Sequence, residues 1–546
     1  MVSTELVLAM LLAVVVSGFV VRVLPFSLPI PIVQIALGYT IAGIFHHGVV
    51  LQPSIFFLLF LPPLLFLAGW TIPKDGLLRD KWAVLQLALG LVVFTVLTAG
   101  YLIHWLIPIM PLAVAFALAA IVSPTDPVAI STFAARTPVP KRLMHLLEGE
   151  SLLNDASGLV CFEFAVAAAL TGRFSLESAA LTLLWVATVG VACGVAFTIA
   201  VAAVQQWLSR QFGEEGGSPI LISLLIPFGA YLLSEALHAS GILAAVAAGI
   251  TMSYVERTVT SMATTRLQRR AVWSTIQFAL NGIVFVVLGE QLPGIVRRAV
   301  ASMYTNGGHG PWWLGVYAVG VTAGLALLRL LWVWVSLKVN LYRRRLADAD
   351  AKKVSWRLVL ATSLAGVRGA ITLAGILTLP LLMPDGRPFP ARDLAVFLAA
   401  AVIVLSLIGA SISLPPLLRG LDVPQEPAAE QEEDRARAAA ARAAIESIKT
   451  AQSSVLENAG LADIEVYANA ASRVIAIYQP HIHERTREET EARRLRKADA
   501  AERALRLAAL RGERAEIINL LRHNEISDET SRKLVHEIDL LESRYR

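Results

Sequence analysis

Apolar runs of roughly 18 or more residues recur from the N-terminus to about residue 420, the length a helix needs to cross a bilayer. Lipid offers no partners for backbone N–H and C=O groups, so only helices and closed barrels span it. The runs are unbroken, whereas barrel strands alternate apolar and polar residues, so the pattern selects helices. The charge content agrees. Of 546 residues, 16% are charged, against about 25% in soluble domains. Thirteen spans are expected, near 5–24, 28–45, 51–70, 82–107, 111–133, 143–171, 178–208, 217–237, 240–255, 270–290, 312–337, 354–380 and 393–418. Only Leu237 to Ser240 divides the eighth from the ninth. Glu5 and the lack of a small-residue cleavage site make residues 1–24 a first span and not a cleaved signal. Cys161 and Cys193 both lie within apolar runs and read as small buried side chains.

Basic residues alternate sharply between the two sets of connecting loops. One set holds 18 Lys and Arg, from Arg22 through the Arg343–Arg345 run to Lys353; the other holds 5, namely Arg173, Arg297, Arg298, Arg387 and Arg392. The basic side is cytoplasmic, which places the N-terminus outside and the C-terminus inside a cell membrane. The composition changes at Leu421, where Pro424 and Pro427 open a stretch rich in Ala, Glu and Arg. Residues 1–420 therefore read as a transmembrane domain and 421–546 as a small helical cytoplasmic domain, regulatory or merely stabilising, with no recognisable ligand motif. This tail holds 24 acidic and 20 basic residues. The net charge of +5 thus belongs to the membrane loops, and gives no reason to expect nucleic acid as a partner.

Ionisable residues inside spans are costly in lipid and mark pathways or pairs. The candidates are Asp126, Glu148, Glu150, Asp155, Glu163, Glu235, Arg329, Arg357 and Arg368. Glu148 and Arg357 lie near span ends and read as interfacial. Glu235 and His238 read as a solvated outer rim, and Glu163 as either a proton relay or a hydrogen-bond acceptor. Arg329, close to Trp332 and Trp334, reads as an interfacial or cation–π group.

Three clusters carry more. In Ser123-Pro124-Thr125-Asp126-Pro127 the prolines forbid a regular helix. A break is expected, with Asp126 as N-cap and Pro127 as first residue of a restarted helix. Unwound backbone at this depth offers carbonyls to a small cation. In Glu148-Gly149-Glu150-Ser151-Leu152-Leu153-Asn154-Asp155, Ser151 and Asp155 share one helix face, and Glu150 and Asn154 share the next. Asp155, Ser151 and the Thr125 carbonyl could supply the oxygen ligands a hard cation such as sodium needs. In Gly366-Val367-Arg368-Gly369-Ala370, small residues surround an arginine whose burial would demand a carboxylate.

These stretches, with LPPLL at 61–65, SPTDPVAIS at 123–131, EGESLLNDASGLV at 148–160, SEALHASGILAAVAAG at 234–249, NGIVFVVLG at 281–289 and GVRGAITLA at 366–374, resemble the cation–proton antiporter family that includes sodium–proton exchangers. The resemblance covers about residues 10–420. It implies two inverted six-span repeats around a linking span, with broken helices crossing at mid-membrane, and a homodimer with an interface domain and a moving core. It implies that Asp155 is the exchanging carboxylate, that Ser151, Asp126, Asn154 and the Thr125 backbone join the ion site, and that Glu150 pairs with Arg368. One departure stands out. Family members commonly carry an acid after the Pro-Pro pair, and here the stretch reads Phe66-Leu67-Ala68-Gly69-Trp70.

The function expected from the resemblance is exchange of sodium or lithium for protons by alternating access, electroneutral at one for one, serving pH homeostasis and needing no cofactor. Potassium–proton exchange is the alternative ion choice, and a cation channel the alternative class. The chain has no H-E-x-x-H, G-x-S-x-G or Walker A sequence that would suggest an enzyme.

Overall fold

The computed structural model describes residues 4–23, 28–45, 53–71, 90–126, 141–172, 176–213, 217–258, 263–305, 310–345, 356–418, 427–458, 464–483, 489–523 and 525–545. Among them the chain is helical, with one isolated bridge between Leu382 and Pro388. It forms two compact units, Met1–Val423 and Pro424–Arg546.

The first unit contains α1 (Thr4–Val23), α2 (Ile30–Phe45), α3 (Pro53–Thr71), α4 (Leu91–Leu106), α5 (Leu112–Val122), α6 (Lys141–Thr171), α7 (Leu176–Phe212), α8 (Ser218–Ala236) and α9 (Gly241–Thr258). It continues with α10 (Ala263–Thr305), α11 (Trp313–Arg345), α12 (Trp356–Leu364), α13 (Ala370–Leu377) and α14 (Arg392–Leu418). Among the described residues, six helices are long and apolar enough to cross a membrane, and six stretches of shorter apolar helix accompany them. Their outward faces are apolar: Leu8, Phe19, Leu221, Leu225 and Leu327 are each more than 60% exposed. Such surfaces suit hydrocarbon and not water. The turn dividing α8 from α9 is only four residues long, and His238 there takes a positive φ of 51°. Helix α10 runs well past the expected span at 270–290 in both directions.

The helices pack as two bundles. Helices α1, α2, α3, α7, α8, α9 and α10 form one, with α2 against α10 and α3 against α9 as its most extensive pairings. Close approach at these crossings depends on reciprocal glycines. A Cβ on Gly38 would lie 2.0 Å from the Val286 carbonyl oxygen, and one on Gly289 would lie 2.0 Å from that of Ile35. Between α3 and α9, Gly249 approaches the Phe66 carbonyl and Gly69 approaches that of Val246 in the same way. Backbone thus meets backbone with no side chain between, the packing that small residues allow in lipid.

Helices α4, α5, α6, α11, α12, α13 and α14 form the second bundle. The two meet mainly where α10 packs on α14, with α3 touching α13 and α6. In the second bundle two spans are interrupted. Helix α5 ends at Val122 and the chain runs non-helically to Asp126. The twelfth span divides into α12 and α13, separated by Ala365–Gly369. The expected restart at Pro127 and the Glu148 side chain lie outside the described residues.

The second unit holds α15 (Pro427–Asn458), α16 (Ile464–His483), α17 (Glu489–Arg522) and α18 (Asp528–Tyr545). Helix α15 pairs with α16, and α17 with α18. Ser527 caps α18 by accepting the Thr530 N–H at 3.1 Å, and Asp528 and Glu529 occupy its first turn, where the helix dipole favours acids. Arg514 on α17 bridges to Asp539 at 2.5 Å and to Glu542 on α18. These hydrogen-bonded carboxylates hold its guanidinium above the usual arginine value.

Candidate ion site at the crossing of two broken helices

The two interruptions face each other and satisfy one another's backbone. The Asp126 N–H donates to the Val367 carbonyl at 2.7 Å. In return, Arg368 Nε donates to the carbonyl of Val122, the last residue of α5, at 2.9 Å. Its Nη1 donates to the Gly366 carbonyl just beyond the end of α12. One guanidinium therefore covers the carboxyl ends of two half-helices, where the partial negative charge of the helix dipole gathers. The Arg368 N–H donates to Ser406 Oγ at 3.2 Å, tying the second break to α14.

Helix α6 lies beside the first break. A Cβ on Gly158 would fall 2.4 Å from Pro124 Cγ, so glycine there lets the proline seat against the helix. One turn further back, Thr125 Oγ1 donates to Glu150 Oε1 at 3.2 Å and accepts from Asn154 Nδ2 at 3.1 Å. Thr125 is thereby fixed between two residues four apart on one face of α6. Asp155 follows Asn154, and Asp126 follows Thr125, so this contact brings both carboxylates to the crossing. Asp155 is 9% exposed and Ser151, one turn before it, 8%.

The partner of Glu150 corrects the sequence reading. Glu150 and Arg368 do not pair. Arg329 of α11 grips Glu150 instead, with Nη1 to Oε1 at 2.5 Å and Nη2 to Oε2 at 3.0 Å, and the two side chains are 2% and 0% exposed. Arg329 Nε also donates to the Thr362 carbonyl on α12 at 3.4 Å. The physical reason is the fork of the guanidinium. Arg329 presents two parallel donors to one carboxylate, while Arg368 spends its donors on the carbonyls of the breaks. Gly366 makes room for the pair, since a Cβ there would lie 2.5 Å from Arg329 Nε. Arg329 is thus neither interfacial nor a cation–π group. A signal was present in the sequence. Arg329 lies nine residues before Lys338, roughly 13 Å deeper than that basic edge at 1.5 Å per residue, too deep for a side chain to reach the surface.

Elsewhere, Arg357 lies over the Trp356 ring at the exposed start of α12, as an interfacial residue does. Glu235 is exposed at the end of α8 and accepts the Gly241 N–H at 3.3 Å. Leu67, at the stretch where the family often has an acid, is 5% exposed and packed in an apolar cluster with Phe66, Trp70 and Trp273. Both cysteines are free.

An all-helical membrane bundle in which two interrupted spans cross beside buried carboxylates has the architecture of a secondary carrier. The family model for the transmembrane part of sodium/hydrogen exchangers matches residues 8–420. The chain belongs to the sodium/hydrogen exchanger family. It is 41% identical over 545 residues to the uncharacterized Na(+)/H(+) exchanger YjcE of Escherichia coli, covering 98% of each chain. It is 38% identical over 547 residues to the sodium, potassium, lithium and rubidium/H(+) antiporter of Bacillus subtilis, covering 99% of this chain and 78% of that one. Among solved structures, the sodium proton antiporter MjNhaP1 of Methanocaldococcus jannaschii superposes with a TM-score of 0.57 at 19% identity, over 75% of this chain and 98% of that one. The protein is accordingly, by family, a membrane cation–proton antiporter.

Proposed function

We propose that the protein exchanges sodium or lithium for protons across the cell membrane, one for one and without net charge movement, with Asp155 as the group for which cation and proton compete. The observation that carries this reading is the charge balance of the crossing. Among the described residues, three carboxyl groups (Asp126, Glu150 and Asp155) stand with two guanidinium groups (Arg329 and Arg368). Glu150 is matched by Arg329. A Cβ on Gly369 would fall 1.9 Å from Asp126 Oδ2, so Asp126 lies over the segment that carries Arg368. Asp155 is the carboxylate in excess. A single buried negative charge is costly in a low dielectric, and one sodium ion or one proton removes it. The bundle can then reorient in either neutral form. Ser151, Asn154 and the Thr125 backbone complete the site. Thirteen spans, an outside N-terminus, a cytoplasmic tail and a homodimer belong to the same reading.

A second reading widens the cation range to potassium and rubidium. Two observations favour it: the apolar Leu67 where an acid would add charge, and the four cations named for the Bacillus subtilis relative.

Both readings meet one experiment. In proteoliposomes carrying a pH gradient, sodium and lithium are expected to collapse the gradient. Equal activity with potassium and rubidium selects the wider range. At zero pH gradient, a potential imposed with potassium and valinomycin is expected to leave sodium-driven proton flux unchanged. A rate that follows the voltage overturns one-for-one exchange.

A further inference from the structure

Many buried hydroxyls in this molecule satisfy themselves locally. Ser17, Thr198, Ser223, Thr362 and Ser363 each donate to a carbonyl three or four residues back, at distances between 2.6 and 2.8 Å. Such back-bonding is the ordinary resource of Ser and Thr in membrane helices. Ser123 departs from it, as does Ser234 at the end of α8. Ser123 follows directly on α5 with helical backbone angles (φ −69°, ψ −45°), so the carbonyls of Ala119 and Ala120 are available to it. It is 5% exposed, and its Oγ has no hydrogen-bond partner among the described residues. The hydroxyl at the start of the break therefore makes neither of these local bonds.

A second acceptor nearby is in the same condition. Asn154 is 1% exposed, and its Nδ2 is held by Thr125. That bond fixes the amide, and Oδ1 is left without a partner. Meanwhile the Thr125 hydroxyl already donates to Glu150 and accepts from Asn154. Buried polar atoms without partners are rare in folded proteins and usually point to an absent water or ion. Here two neutral oxygen acceptors belong to the break and to the α6 face that holds it, beside a carboxylate that must be neutralised.

We propose that Ser123 is a further ligand of the transported cation, acting with Asn154 Oδ1 as the uncharged half of the site and setting preference among alkali cations. This rests on the assignment of Asp155 as the exchanging carboxylate. A small cation holds each oxygen more tightly than a large one, so removing a neutral ligand weakens lithium and sodium more than rubidium. The proton, taken up by Asp155 itself, is unaffected.

The test measures apparent KM for lithium, sodium, potassium and rubidium in proteoliposomes, for the parent protein, Ser123→Ala, Ser123→Thr and Asp155→Asn, together with cation-induced shifts of Tm in detergent. Ser123→Ala is expected to raise the KM for lithium and sodium about tenfold, on the scale of one lost hydrogen bond to a charged group. Rubidium should change less, and cation-free Tm should hold. Ser123→Thr retains a hydroxyl and should keep the parent order of cations. If the alanine variant folds poorly, the order of cation-induced Tm shifts in the threonine variant replaces it; an order unlike the parent's counts against the assignment. Unchanged ratios of the lithium and sodium KM to the rubidium KM in Ser123→Ala, as an equal loss for all four cations would give, overturn the ligand role of Ser123. Persistent exchange in Asp155→Asn overturns the carboxylate assignment instead, so the two failures are distinguishable.

Discussion

The two bundles of the membrane unit solve the same problem in opposite ways. In the bundle of α1–α3 and α7–α10, helices run on uninterrupted even through Pro62, Pro63, Pro227 and Pro293, and touch through glycine, as at Gly38 with Gly289 and Gly69 with Gly249. In the bundle of α4–α6 and α11–α14, two spans give up helical hydrogen bonds at the crossing, and the exposed groups find partners across the break. Lipid punishes an unsatisfied backbone group in both cases. The first arrangement suits a scaffold. The second concentrates polar atoms where a cation can use them, at the cost of importing charge such as Arg329 and Arg368. An interrupted span is thus stable only within a network.

That contrast can be broken most severely at Asp155. Asp155→Asn retains volume and removes the charge, and should yield folded protein with no cation-dependent proton flux. Substantial exchange by this variant would falsify the assignment. Next in size is the Glu150–Arg329 pair. Removing either partner leaves a lone buried charge and should cost about 3–5 kcal/mol, whereas the double alanine variant should lose far less than the sum. The matching cycle of Glu150 with Arg368 should show much weaker coupling, and equal coupling in thermal unfolding would contradict the geometry. Glycines then separate the bundles. Gly289→Ala overpacks the scaffold and should cost about 1–3 kcal/mol in stability with cation KM unchanged. Gly369→Ala drives a methyl into the Asp126 carboxylate and should slow turnover about tenfold with a smaller loss of Tm. If both variants lose stability alike and transport equally, the division of labour is wrong. The smallest effect concerns neither bundle. A chain ended at Val423 should still insert and exchange cations, and loss of flux in that folded protein would make the tail part of the machinery.

Much of this was legible in the sequence because membranes simplify the code. Span length and the prolines of Ser123–Pro127 act locally, and the first break begins where those prolines predict, while the second, at Arg368, falls where the resemblance to the antiporter family implied one. Pairing was harder. Glu150 could be seen to need a cation, but the choice between Arg329 and Arg368 depends on how α11 and α12 rotate about their axes. No local pattern sets that. The tryptophans beside Arg329 drew it toward the interface, although its depth argued otherwise. Ser123 was visible only as part of a proline-bounded break, because an unmade hydrogen bond leaves no mark in a sequence. The extension of α10 past residue 290 was missed because its ends are amphipathic and basic, which hydropathy reads as loop.

That extension has a mechanical consequence. Helix α10 has 43 residues, about 65 Å at 1.5 Å per residue and roughly twice the hydrocarbon core. Its arginines cluster at Arg266, Arg269 and Arg270 near one end and at Arg297 and Arg298 near the other. From Arg270 to Arg297, both exposed, is about 40 Å of helix, close to the roughly 40–45 Å that a bilayer measures between headgroup layers. The helix is a gauge rod with a stop at each surface. Sliding it along the membrane normal would drag one set of guanidinium groups into hydrocarbon. Any vertical travel is therefore left to the partner bundle, and a thicker or thinner bilayer should change the transport rate by re-seating the rod before it disturbs the ion site.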